Sequence, residues 1–222
     1  MRRPCLVLDF DGTILDTEEP NYRSWAELWE HHGHELALSK WQAIIGTGQV
    51  FDPWVELEHR LGRPLDPTRN EDRRARRDEL QALQGLRPGV LAWLADAEDL
   101  GVPVGIASSS PFGWVAGHLK RLEIEHRFAC IVCCDDEIPA KPNPISYRLA
   151  CDRLNAEQSH SVAVEDSPHG LAAAGAAGLF TVAVPHGLTA DLDLSAADLS
   201  AASLDSLSLS DVLAEASRRP PP

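Results

Sequence analysis

A short apolar run that ends in two carboxylates is the feature that most constrains this chain. The run Cys5-Leu6-Val7-Leu8 leads directly into Asp9-Phe10-Asp11-Gly12-Thr13, which predicts a buried strand followed by a sharp turn. The two-residue period of a strand places Asp9 and Asp11 on the same side, where their like charges need a cation such as Mg²⁺ or a proton between them. Gly12 lets backbone N–H groups approach an anion, which suits phosphate. Ordinary turn chemistry explains Asp11 and Gly12 but leaves Asp9 unpaired.

Three later apolar runs also end in polar residues. Val102–Ala107 precedes three serines, Cys130–Cys134 precedes acidic residues and a lysine, and Ser161–Val164 precedes Glu-Asp-Ser. In a parallel α/β sheet the carboxyl ends of the strands lie along one edge, and ligands bind in the crevice there. We therefore expect a set of polar side chains to meet at that edge: Asp9, Asp11, Ser108, Lys141, Glu165 and Asp166.

Helical and strand-like stretches alternate through the rest of the chain, which predicts a doubly wound α/β fold with a parallel sheet. The predicted helices are Val90–Leu100, Pro111–Leu122, Pro144–Leu154, Pro168–Ala177 and Ser210–Ala216. Phe180–Val184 is predicted as a strand and Ala197–Ala201 as a last edge strand, before a disordered proline-rich end.

Residues 17–84 form an insertion without a convincing strand. Tyr22, Trp25 and Trp29 recur at helical spacing, which favours a buried helix face, and Val50–Leu61 and Asp72–Leu83 are also predicted as helices. We therefore expect a core formed by residues 1–16 and 85–222, with residues 17–84 as a separate helical domain.

Composition excludes several classes of protein. The 222 residues include 20 Lys and Arg against 34 Asp and Glu, and the formal charge of -14 argues against a nucleic-acid or anionic-membrane surface. No apolar stretch approaches the length of a membrane span, and Met1-Arg2-Arg3 leads into a core strand instead of a signal-peptide cleavage site. Five cysteines favour reduced thiols over a disulfide framework. We expect a cytoplasmic monomer or weak homodimer.

Three motifs favour ordinary structural roles. His31-His32-Gly33-His34 lies at a predicted helix end, where polar groups suit the dipole. Cys130 and Cys133 point to opposite faces of a strand, which disfavours a redox or zinc site. The run Arg73–Arg77 is flanked by acids at i, i+4 spacing, so a solvated helix face is expected, although one of these arginines is a candidate for a substrate anion.

At four places the chain resembles the haloacid dehalogenase superfamily of phosphotransferases. Asp9-Phe10-Asp11-Gly12-Thr13 is similar to the first family motif, Ser108 to the second, Lys141 to the third and Glu165-Asp166 to the fourth. The four occur in order and at compatible spacing, and the resemblance covers nearly the whole chain. It lies closest to the branch that includes β-phosphoglucomutase and small sugar-phosphate phosphatases. In that branch a small helical cap, here residues 17–84, closes over the active site.

The resemblance also implies chemical roles. Asp9 is expected to attack the phosphorus and form an aspartyl phosphate, while Asp11 protonates the leaving group and later takes a proton from water. Ser108, Ser109 and Lys141 are expected to bind the phosphate. The implied cofactor is Mg²⁺, with Asp9, the backbone carbonyl of Asp11 and Asp166 as ligands. Glu165 is expected either to bind the ion directly or to contact the residues that bind it.

Three functions follow from this set of residues. A phosphatase acting on a small phosphorylated metabolite, such as a sugar phosphate, is favoured, and a β-phosphoglucomutase-like mutase is the alternative. Asn21 stands where the mutase has a histidine, and Gln49 where it has an arginine. The true dehalogenases lack the second aspartate, so Asp11 argues against their chemistry. A catalytically silent binding protein is the third, and the sequence does not identify a substrate.

Overall fold

The computed structural model describes residues 3–46, 51–135 and 138–219. A parallel sheet forms its centre. The strands are β1 Leu6–Leu8, β2 Val104–Ala107, β3 Cys130–Val132, β4 Val162–Glu165, β5 Phe180–Ala183 and β6 Leu199–Ser200. Their order in the sheet is β3-β2-β1-β4-β5-β6. The order reverses between β1 and β4, and in a doubly wound sheet a crevice forms at that switch point.

The sheet is covered on both faces, as the apolar strands predict. Leu6 and Leu8 belong to one hydrophobic cluster and Val7 to another, because successive side chains of a strand point to opposite faces. The covering helices are α5 Val90–Asp99, α6 Phe112–Arg121, α7 Ile145–Arg153, α8 Pro168–Ala176 and α9 Leu209–Ala216. The first cluster is covered by α5, α6 and α9, and the second by α7 and α8. The predicted doubly wound α/β fold is confirmed.

Four of the five described helices between β1 and β2 form a helical insertion around an apolar cluster, which also includes Leu188 of the core. They are α1 Glu18–His31, α2 Leu38–Gln42, α3 Pro53–Leu61 and α4 Thr68–Ala82. Trp29, Trp41 and Leu57 are buried in this cluster, and α1 packs along α4. Leu15 and Leu86 form an antiparallel bridge where the chain leaves the sheet and returns to it.

Several boundaries differ from the sequence-based predictions. The helix predicted from Asp72 begins four residues earlier, at Thr68, and α2 was not predicted at all. The helix predicted from Val50 begins at Pro53, because the side chain of Asp52 accepts the N–H groups of Trp54 and Val55 and caps it. Val50 and the last three prolines lie outside the described residues.

Among the described residues, no helix combines the length and the apolar character that crossing a bilayer would require.

Candidate active site

The strand ends bring the predicted polar residues together. Asp9 follows β1, Ser108 follows β2, Glu165 ends β4 and Asp166 follows it, while Lys141 enters from the loop before α7. The Asp9 N–H donates to the Val164 carbonyl at 3.0 Å, which holds the end of β1 against β4. All of these side chains are buried except that of Asp11, which is partly exposed. We refer to Asp9, Asp11, Ser108, Lys141, Glu165 and Asp166 as the strand-end site.

Lys141 is the buried cation of this site. Its ammonium contacts Asp9 Oδ1 and lies 2.5 Å from Glu165 Oε1. Burial opposes the charge, but the two carboxylates outweigh it and raise the pKa of the Lys141 ammonium above its usual range. Lys141 therefore offers a fixed positive charge beside the predicted nucleophile.

Three carboxylates face this single ammonium. Oxygens of Asp9, Glu165 and Asp166 all lie within 4.8 Å of one another. Burial and the neighbouring Asp9 and Glu165 charges raise the pKa of Asp166 well above its ordinary value. Burial also raises the pKa of Asp9, against the attraction of Lys141. A second cation at this point would offset the excess negative charge.

The carboxylate oxygens of Glu165 and Asp166 differ in how many hydrogen bonds they already accept. Glu165 Oε1 accepts from Tyr147 at 2.5 Å as well as from Lys141, and Glu165 Oε2 accepts from Ser167 at 3.3 Å. Asp166 Oδ2 is buried and has no hydrogen-bond partner among the described residues. A buried oxygen with free lone pairs, within reach of two further carboxylates, fits a hard divalent cation.

Gly12 leaves the space in which Asp166 lies. A Cβ at this position would be 2.0 Å from Asp166 Oδ2 and 3.1 Å from His186 Nε2, and the φ angle of +88° is one that glycine tolerates best. His186 Nε2 lies 3.7 Å from Asp166 Oδ2, and its Nδ1 lies 3.5 Å from Asp16. Burial lowers the pKa of His186 against the attraction of Asp16, which favours the neutral imidazole.

The side chain of Asp11 lies apart from the three-carboxylate group and accepts four hydrogen bonds. Thr17 at 2.7 Å and Trp114 Nε1 at 2.9 Å donate to Oδ1, and Ser110 at 2.6 Å and Ser108 at 3.3 Å donate to Oδ2. Asp11 is therefore positioned beside Asp9 without sharing its contacts. The expectation that Asp11 contributes its backbone carbonyl to the metal stays a prediction.

Ser109 connects two loops. Its hydroxyl accepts from the Lys141 backbone N–H at 3.1 Å and donates to the Gly46 carbonyl of the insertion at 3.3 Å. Its predicted contact with phosphate stays a prediction. Gln49, the other position compared with the mutase, lies outside the described residues.

A cavity of about 390 Å³ opens above the strand-end site. Its core side includes Asp9, Asp11 and Asp166, and its insertion side includes Glu18 and Arg77. The cavity thus lies between the sheet edge and the helical insertion. A small ester placed there would contact both parts of the chain.

Several of these residues were not identified from the sequence. Thr17, Ser110 and Trp114 hold Asp11, and Tyr147 holds Glu165. A signal was available for two of them, because Ser110 is the last of the three serines after β2 and Trp114 lies three residues beyond Pro111. Tyr147 lies inside α7 and gives no such signal.

The arginine run is only partly solvated, contrary to the prediction. Arg73 is 7% exposed, and Arg76, which has Asp72 at i, i+4 spacing, pairs with Glu27 and Glu79 instead. Arg73 is buried because α1 packs over that side of α4. The spacing of acids along one helix carries no information about a neighbouring helix.

The two other motifs contain cysteines and histidines. All five cysteines are free. Within the described parts of the chain, the histidines at 31, 32 and 34 join no group able to hold a metal, and Asp9, Glu165 and Asp166 form such a group.

Comparison with known proteins agrees with this geometry. The model of the haloacid dehalogenase-like hydrolase family matches residues 4–178. YhcW of Bacillus subtilis (strain 168), which carries a phosphatase name, is 41% identical over 189 residues, or 85% of this chain and 86% of that protein. Fructose-1-phosphate phosphatase YqaB of Escherichia coli (strain K12) is 27% identical over 181 residues, or 81% of this chain and 95% of YqaB.

A solved structure shows the same fold. A Thermotoga maritima protein named a β-phosphoglucomutase superimposes with a TM-score of 0.73 at 25% identity, covering 89% of this chain and 94% of that chain. Since the family model spans most of the chain and its named relatives include phosphatases, the protein belongs to the haloacid dehalogenase-like hydrolase family.

Proposed function

We propose that this enzyme is a Mg²⁺-dependent phosphatase that hydrolyses a small phosphate monoester, such as a sugar phosphate, through an aspartyl phosphate on Asp9. The observation that carries the proposal is the pair of aspartates at the cavity floor. Asp9 lies beside the fixed charge of Lys141, while Asp11 is held by four separate donors. Two carboxylates in different surroundings suit a nucleophile and an acid-base group.

The donor set fits a magnesium ion. Asp9 and Asp166 would hold it together with the Asp11 backbone carbonyl. The oxygens of Glu165 already accept from Lys141, Tyr147 and Ser167, so Glu165 would orient the residues around the ion without binding it. When bound, Mg²⁺ supplies positive charge that offsets the phosphate and polarises its oxygens.

The chain's own residues account for both halves of the reaction. Asp9 attacks phosphorus, the ester P–O bond breaks, and Asp11 gives its proton to the departing oxygen. Water then attacks the aspartyl phosphate, Asp11 takes a proton from it, and the bond to Asp9 breaks to release phosphate. Ser108, Ser109 and Lys141 would hold the phosphoryl oxygens in both steps.

We also propose that residues 17–84 act as a cap domain over the core of residues 1–16 and 85–222. The cavity lies between the two parts, and Glu18 and Arg77 line its insertion side. A side chain there can contact the part of the substrate that does not react. Substrate choice would then depend on the insertion and chemistry on the core.

The alternative is a phosphosugar mutase, which must keep water from the aspartyl phosphate until a sugar hydroxyl accepts the group. Asn21, where the mutase has a histidine, uses its Oδ1 to accept from Arg73 at 3.4 Å. An amide has no ionisable proton to exchange with a hydroxyl, so this position favours hydrolysis. With β-glucose 1-phosphate and a trace of the 1,6-bisphosphate we expect inorganic phosphate. Rapid glucose 6-phosphate with negligible free phosphate would establish the mutase instead.

The direct test is phosphate release from p-nitrophenyl phosphate with and without Mg²⁺. A panel of sugar phosphates, phosphoglycolate and nucleotides then follows. Metal-dependent hydrolysis supports the proposal. A folded protein that hydrolyses no ester in the panel would instead be a binding protein.

A further inference from the structure

A second cavity, of about 540 Å³, adjoins the first inside the helical insertion. The two cavities share Asn21, Trp41 and Arg77 in their walls. Arg73, Arg74 and Arg77 of α4 all line the second one, and we call it the arginine cavity. A molecule bound at the strand-end site could therefore extend into a strongly basic space.

Arg73 is the central residue of this cavity, because it is a buried cation without an anionic partner. It is 7% exposed and its guanidinium lies 4.1 Å from the centroid of the Trp25 ring. Its hydrogen bonds go to neutral acceptors, which are Asn70 Oδ1 at 3.1 Å, Ser24 Oγ at 3.1 Å and Asn21 Oδ1 at 3.4 Å. Among the residues the structure describes, no carboxylate lies within ion-pair distance of it. Buried charges in proteins are ordinarily paired.

Arg73 nevertheless keeps its charge. Burial and the neighbouring Arg77 and Arg74 lower the pKa of Arg73 to about 10, which still leaves the guanidinium protonated at pH 7. Its stacking on Trp25 and its neutral hydrogen bonds fix the planar fork in place. A fixed, charged guanidinium is well suited to a phosphate or carboxylate.

The other charged residues nearby do not neutralise Arg73. Asp52 is the acid among the described lining residues, and its Oδ1 already accepts the N–H groups of Trp54 and Val55. Arg77 pairs with Asp78, which does not line the cavity. The space therefore holds an excess of positive charge next to a site with an excess of negative charge.

We propose that the arginine cavity binds a second anionic group of the substrate while the phosphate to be cleaved lies at Asp9. This rests on the proposed function and narrows it to metabolites that carry a phosphate ester and a second anion, either a phosphate or a carboxylate. Arg73 would make the principal contact, with Arg74 and Arg77 at its sides.

Binding to the Asp9→Asn enzyme with Mg²⁺ tests the proposal, because it needs no turnover. Calorimetry compares fructose 1,6-bisphosphate with fructose 1-phosphate, and 3-phosphoglycerate with glycerol 3-phosphate. The first pair tests a second phosphate and the second pair a carboxylate. We expect the doubly anionic member of at least one pair to bind tenfold tighter or more.

Three variants in the same background identify the residue responsible. Arg73→Met keeps an apolar stem against Trp25 and should remove the preference, whereas Arg73→Lys should retain part of it. Arg74→Gln, at an exposed position, should reduce it about threefold and serves if the buried variant does not fold. Arg76→Gln is the matched control, since Arg76 faces Glu27 and lines neither cavity, and it should keep the full preference.

Equal affinity for both members of both pairs would overturn the second-anion site, and so would a preference that survives Arg73→Met and Arg74→Gln. If native enzyme hydrolyses p-nitrophenyl phosphate in that case, the proposed function still stands. If native enzyme hydrolyses nothing while the binding preference follows Arg73, the phosphatase proposal fails and the anion site stands.

Discussion

The strand-end site and the arginine cavity share a boundary but differ in charge and in construction. The first is formed by residues that follow parallel strands, and its three clustered carboxylates face a single ammonium. The second lies between helices of the insertion, and its principal cation has no carboxylate beside it among the described residues. Each site thus has the charge that the other lacks.

The difference separates the chemistry from the choice of substrate. Strand ends are fixed on both sides by ladder hydrogen bonds, so catalytic groups that must be positioned to within about an ångström are best placed there. Helix faces pack by side chains that change more freely without disturbing the sheet. We expect changes at the strand ends to affect every substrate, and changes in the arginine cavity to affect some substrates more than others.

Asp9→Asn should give the largest effect. The amide is a poor nucleophile, so kcat should fall by at least about a thousandfold for all phosphate esters. Its shape is nearly unchanged and Lys141 keeps Glu165 as a partner, so thermal unfolding should stay cooperative. Retention of more than a few per cent of the native rate by a pure variant would contradict the covalent mechanism.

Removal of the metal should be nearly as severe. EDTA should reduce hydrolysis by at least about a hundredfold, and excess Mg²⁺ should restore it. Ca²⁺ should restore less than about a tenth of the rate with Mg²⁺. It takes more ligands at longer distances, so the carboxylates would leave the positions that in-line attack on phosphorus requires. The control is a dialysed sample with Mg²⁺ returned. Full activity after chelation would exclude the proposed cofactor.

Trp114→Phe tests a residue that connects the two regions. Its indole donates to Asp11, while Arg77 of the insertion lies 5.0 Å from the centroid of its ring. Loss of the indole N–H should impair proton delivery, which an alkyl leaving group needs and nitrophenolate does not. We expect the ratio of kcat/KM for a sugar phosphate to that for p-nitrophenyl phosphate to fall about threefold to tenfold.

Trp54→Phe is the matched control, since Trp54 lies in the insertion but lines neither cavity. In this variant the ratio of kcat/KM for a sugar phosphate to that for p-nitrophenyl phosphate should equal the ratio in the native enzyme. An unchanged ratio in Trp114→Phe would show that this hydrogen bond does not assist proton transfer.

Glu18→Gln should give the smallest effect, on stability. Burial and the charges of Asp11 and Asp16 raise the pKa of Glu18 from 4.5 to about 7, although Trp41 Nε1 donates to it at 3.1 Å. Between pH 4.5 and about pH 7, Glu18 binds more protons in the folded state than in the unfolded state, so the free energy of unfolding falls as the pH rises through this range. Without metal, Glu18→Gln should therefore stabilise the protein by about 1–2 kcal/mol at pH 8 and by much less at pH 5.

The exposed neighbour Glu19→Gln is the control and should show no such difference between the two pH values. Denaturant unfolding at both values provides the measurement. Equal stabilisation by Glu18→Gln at pH 5 and pH 8 would show that its carboxylate is not destabilising when ionised.

The strand-end site could be predicted because its residues follow a rule that operates along the chain. An apolar run that stops at a carboxylate indicates a strand end, and parallel strands bring their ends to one edge. Asp9, Ser108 and Asp166 are brought together in this way, whereas Lys141 reaches the site from the loop before α7. Tyr147 could not be predicted, since a tyrosine inside an apolar helix resembles any core residue.

The arginine cavity shows where sequence patterns carry too little information. Acids at i, i+4 spacing favoured an exposed face for Arg73, but the packing of α1 against α4 buries it. That packing depends on two helices far apart in sequence. Likewise α2 is a helix of five residues, shorter than a periodic pattern can reveal.

The close approach of Gly12 to Asp166 and His186 has a consequence for the enzyme's mutational tolerance. Alanine at position 12 would need a backbone angle that side chains disfavour and would also occupy the place of a carboxylate oxygen. Relieving the clash by moving Asp166 would disturb the proposed metal site, so one substitution would lower both folding yield and turnover. In a saturation library this position should accept no replacement, whereas neighbouring surface positions of the insertion should accept many.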